Sequence, residues 1–65
     1  MAGYEIRVKG HLGPPVAGLF PGMTVVNEPD GEAILAGPVA DQAELRGLLL
    51  RVFDLGLVLV AVVPR

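Results

Sequence analysis

Apolar and polar residues alternate from Tyr4 to Lys9, with Tyr4, Ile6 and Val8 set against Glu5, Arg7 and Lys9. A period of two places the sets on opposite faces of a strand. The pattern therefore predicts a first strand with one buried and one wetted face, its register continuing through Gly10 and Leu12 against His11. The next stretch, Gly13 to Gly22, carries prolines and glycines that forbid a regular helix or a central strand, so a loop with at most one short turn is expected. Its Val16, Leu19 and Phe20 are too apolar for a solvated linker. The loop is expected to fold back as a plug over one end of the core, anchored by Phe20.

Met23 to Asn27 and Ala33 to Ala36 flank Glu28-Pro29-Asp30-Gly31-Glu32. Proline pre-sets φ for a turn and Asp-Gly supplies a residue tolerant of positive φ, so the segment reads as a hairpin. Beyond Gly37-Pro38, Asp41 occupies an N-cap position and Glu44 completes a capping-box spacing. From Leu45, the residues Leu48, Leu49 and Val52 recur at helical intervals flanked by Phe53 and Leu55, while Arg46, Arg51 and Asp54 point elsewhere. Gly56 is placed to end the helix. Leu57 to Val63 carry no polar side chain and are mostly β-branched, which predicts a strand buried on both faces.

The resulting order is β-β-β-α-β, with the final strand returning parallel to the third through the helix. The expected fold class is α+β: one compact domain over residues 1–65, two layers, a four-stranded mixed sheet with one helix on one face. That leaves the second face of the sheet uncovered. The first strand gives it Glu5, Arg7, Lys9 and His11; the last gives it either Leu57, Leu59, Ala61 and Val63 or the alternate set Val58, Val60 and Val62.

Composition sharpens this point. A chain of 65 residues has little interior, yet 52% of its residues are hydrophobic against 18% charged. With no cysteine and a single histidine there is no disulfide or metal site to reinforce the core, which leaves self-association as the reinforcement. A homodimer or higher homo-oligomer is expected. The contact candidates are Val58, Leu59, Val60 and Val62 on the last strand and Ala43, Gly47 and Leu50 on the helix face opposite the core stripe. Gly47 costs a helix interior about 1 kcal/mol relative to alanine, so either a neighbouring helix approaches there or the glycine is merely tolerated.

Other function classes receive little support. A net charge of −2 with five scattered basic residues offers no electrostatic footprint for nucleic acid. The N-terminus lacks a basic region followed by an apolar run. The longest uncharged apolar stretch, Leu55 to Val63, falls far short of the ~20 residues of a membrane span, so a cytoplasmic protein is expected. Glu28, Asp30 and Glu32 do not have the spacing of a calcium loop, the glycines do not form a phosphate-binding motif, and no serine or cysteine is present as a nucleophile. No cofactor or metal is expected. If the chain were instead a small enzyme or ligand sensor with a site at the subunit interface, the candidate residues would be His11, Lys9, Arg7 and Tyr4, with His11 as general base. The preferred expectation is a non-catalytic homo-oligomeric binding or regulatory module whose small-molecule ligand the residues do not name.

The string Gly37-Pro38-Val39-Ala40-Asp41-Gln42-Ala43-Glu44-Leu45-Arg46-Gly47-Leu48-Leu49, with Asp54-Leu55-Gly56-Leu57 and the upstream Gly10-His11-Leu12, resembles a family of short uncharacterised bacterial proteins. The resemblance implies tryptophans, often present in such proteins, in the loop before Phe20 and a histidine near Arg46, and this chain has neither. The resemblance implies a compact domain and carries over no activity.

Overall fold

The structure, a computed structural model, describes residues 2–65. Its elements are β1 (Ala2–Lys9), a one-turn helix α1 (Pro14–Ala17), β2 (Thr24–Asn27), β3 (Glu32–Val39), α2 (Gln42–Asp54) and β4 (Leu59–Pro64). The α+β class, with four strands and one long helix on one face, is as the residue pattern implies. The strand order is β2-β3-β1-β4. Because β3 and β4 both pair antiparallel with β1, they run in the same direction, as a β-α-β crossover requires. They are not neighbours, however. β1 lies between them, so every ladder is antiparallel and the sheet is not mixed in its hydrogen bonding.

β1 ends at Lys9, short of the Leu12 that the alternation suggests, since Gly10 adopts a φ of 88° and donates to the Gly31 carbonyl. Leu12 remains buried beyond the strand. It is held there by Asn27, whose side chain accepts from the Leu12 N–H at 2.9 Å and donates to its carbonyl at 3.1 Å. The following segment forms the single turn α1 with Pro14 at its start, where a missing N–H costs nothing. Phe20 is 1% exposed and closes the core as the expected plug.

β3 extends farther than its apolar run, through Gly37 and Pro38 to Val39, which pair with Tyr4, Gly3 and Ala2. Gly37 is required by proximity: a Cβ there would sit 2.8 Å from both the Gly22 carbonyl oxygen and the Met23 Sδ. Asp41 caps α2, its Oδ1 accepting from the Glu44 N–H at 2.9 Å. The helix stops at Gly56, with φ 75°, in a Schellman arrangement: Gly56 N–H donates to the Phe53 carbonyl and Leu57 N–H to that of Val52.

The core lies between α2 and one face of the sheet. Ile6, Val8, Ala33, Leu35 and Val39 meet Leu45, Leu48 and Val52, closed by Leu12 and Phe20. Leu49, expected among the core leucines, is only half-buried at the flank of this stripe.

β4 departs most from expectation. It is an edge strand with no fully buried residue, not a strand enclosed on both faces. Its composition calls for enclosure, but two-sided burial needs a cover on each face, and the long helix covers only one. Its register also shifts, because Arg7 pairs with Ala61 while Val8 pairs with Leu59, leaving Val60 as an extra residue. The bulge mixes the two alternating sets. Leu57, Leu59 and Val62 pack toward the core, whereas Val58, Val60 and Val63 are exposed.

Candidate interaction surface

The cap at Asp41 fixes the phase of α2, and that phase turns Leu45, Leu48 and Val52 inward. Helical spacing then sends Ala43, Arg46, Gly47, Leu50, Phe53 and Asp54 outward, and all six are exposed. Leu50 is 45% and Phe53 54% exposed. Beside them runs an open, mostly apolar groove of about 310 Å³, lined by Gln42, Leu45, Arg46, Leu49, Leu50 and Phe53. On the opposite flank, Gly47 opens onto a more polar depression of about 390 Å³ shared with Pro21, Glu44, Leu48 and Arg51. Arg51 is engaged there, donating from Nη1 to the Leu19 carbonyl at 2.6 Å and so tying the loop before β2 to the helix. A Cβ added to Gly47 would meet nothing within 4 Å, so among the described residues no contact requires glycine at that position.

Of the strand candidates, Val58 and Val60 are exposed at the sheet edge, and Leu59 and Val62 rest half-buried against the core. The helix and strand candidates thus include two surfaces. Phe53 is the surface residue the apolar pattern left unassigned: it flanks the core stripe in sequence but follows Leu50 by three positions, the spacing that puts both on the outer face.

The residues of the alternative site are not assembled. Arg7 and Lys9 lie on the open face of the sheet, and Arg7 Nη1 is committed to Glu32 Oε1 at 3.2 Å. Tyr4 belongs to the opposite, core-facing set, and its hydroxyl accepts from Gln42 Nε2 at 2.9 Å. His11 lies beyond the end of β1 with Nε2 2.7 Å from the Glu28 carbonyl oxygen, which can only accept, so Nε2 is the donor. Among the described residues, no group of three or more histidine, cysteine, aspartate and glutamate side chains is placed to hold a metal ion. No helix among those residues is long and apolar enough to cross a membrane.

Fold and surface together define a small two-layer α+β domain with an antiparallel sheet, a split β-α-β crossover and an apolar stripe on the outside of its long helix. The chain belongs to the family of the domain of unknown function DUF8691, whose model matches residues 3–63. Among curated proteins and among solved structures, none matches it.

Proposed function

We propose that the protein is a non-catalytic homo-oligomeric binding or regulatory module, whose first partner is a second copy of itself. The observation that carries this reading is the bare outer face of α2, where Leu50 and Phe53 stand exposed beside an apolar groove. Burying apolar surface yields roughly 25 cal/mol per Å², and a domain this small has little interior in which to do so. A copy of the same chain supplies an apolar surface at matching concentration. The alternative of an interface enzyme finds less support, because Tyr4 and Arg7 occupy opposite faces and Arg7 is held by Glu32.

Light scattering across a dilution series tests the proposal. A dimer or larger assembly at micromolar concentration, dissociating on dilution, is expected. A folded monomer throughout that range would overturn it.

A further inference from the structure

Within the self-association reading, on which this inference rests, we infer that the contact is an antiparallel crossing of two α2 helices about a two-fold axis through Leu50. The outward residues Ala43, Arg46, Gly47, Leu50, Phe53 and Asp54 follow the alternating three- and four-residue spacing of a helix–helix seam. A two-fold axis through Leu50 makes each position face its mirror position about residue 50 on the partner. Leu50 then meets Leu50 of the second copy. Arg46, four residues before the axis, faces Asp54, four residues after it, and the pair occurs twice.

Three observations on the single chain fit this register. Neither Arg46 nor Asp54 belongs to an ion pair among the described residues, where the pairs are Arg7–Glu32 and Arg65–Glu5. Gly47 lies opposite the partner's Phe53 in the same register, and the space above Gly47 is open to 4 Å, so the glycine that no internal contact requires makes room for the ring. A parallel crossing would set Arg46 against Arg46 and Asp54 against Asp54. Charge therefore selects the antiparallel arrangement.

The exposed edge of β4 is a poorer contact. Arg65 N–H donates to the Gly3 carbonyl, so by alternation Val63 and Ala61 turn their backbone groups toward β1, and Val62 and Pro64 turn theirs outward. Pro64 has no N–H to give, and the bulge at Val60 interrupts the row on its other side. Both features blunt an edge against strand addition.

The test is a charge exchange. Arg46→Asp and Asp54→Arg alone should each raise the dissociation constant on the order of tenfold, by replacing two exposed attractive pairs with repulsive ones. The double variant should return to within about threefold of wild type. Because the native chain has no cysteine, Leu50→Cys should also form a covalent dimer on mild oxidation, and Val60→Cys should not. All these positions are exposed, and far-ultraviolet circular dichroism confirms the fold of each variant. If wild type is oligomeric but the exchange does not restore it, or Val60→Cys crosslinks in place of Leu50→Cys, the helix seam is wrong and the self-association reading survives. If wild type is a monomer, both fall.

Discussion

Ile34 on the open face of the sheet is only 9% exposed although no helix covers it, whereas Leu50 on the outer face of α2 is 45% exposed. Ile34 sits between Val26 and Arg7 on adjoining strands, and the Arg7 side chain reaches along the face to Glu32. Arg65 reaches Glu5 on the same face, with Nε 3.5 Å from Oε1. On a flat sheet, neighbours in adjacent strands stand about 5 Å away on both sides, and the stem of an arginine can roof an apolar residue. A helix is a convex rod. The neighbours of Leu50 lie only along its axis, so a charged side chain such as Arg46 or Asp54 borders it without covering it. An apolar residue can thus be sheltered within the chain on one surface, while on the other only a second molecule can shelter it.

The comparison breaks most clearly under truncation of leucines two positions apart. Leu48→Ala should cost about 2–5 kcal/mol, independent of protein concentration, because it leaves a cavity against the sheet. Leu50→Ala should leave monomer stability nearly unchanged and lower the transition only where wild type is associated. Chemical denaturation at two protein concentrations separates these outcomes, and equal intrinsic losses would mean that the two helix faces do not differ as described.

A smaller effect is expected from the cap that sets which residues face outward. Asp41→Ala removes the acceptor for the Glu44 N–H and should cost about 1 kcal/mol. Urea denaturation of this variant should show a lower midpoint with an unchanged slope. No change would mean that the phase of α2 is set by packing alone.

The smallest effect concerns the sheltered face. Arg7→Gln retains much of the stem over Ile34 but loses the ion pair to Glu32, and should cost at most about 1 kcal/mol. The loss should shrink in high salt, since these partly exposed charges are screened there. A loss that salt does not touch would assign the shelter of Ile34 to packing and not to the paired charges.

Local signals were legible wherever the physics is local. The helix from Asp41 to Gly56 is written in its cap, its apolar period and its positive-φ stop, and the hairpin in Pro29, Asp30 and Gly31. Phe20 was recognisable as a plug because an aromatic residue among prolines and glycines has no amphipathic element to belong to. The surface was legible in part: Leu50 and Gly47 stand out against the core stripe, but Phe53 is left at its flank because hydrophobicity alone does not say how far the stripe extends around the rod. Nothing in a period-two pattern announces the bulge at Val60, which depends on how β4 meets β1.

The sequence by itself determined the order of the four strands and the long helix along the chain, the direction in which β4 must run and the phase of α2, because caps, turns and periodicity act over a few residues. Only the tertiary structure decided that β1 is inserted between β3 and β4, that the most apolar strand lies at an edge, and that the open face of the sheet shelters its own isoleucine while the helix leaves Leu50 and Phe53 bare. Those outcomes depend on which strands pair and on how much of each face the long helix can cover. Both are set by competition among all the strands for the cover of the single long helix, and no residue records the result of that competition locally.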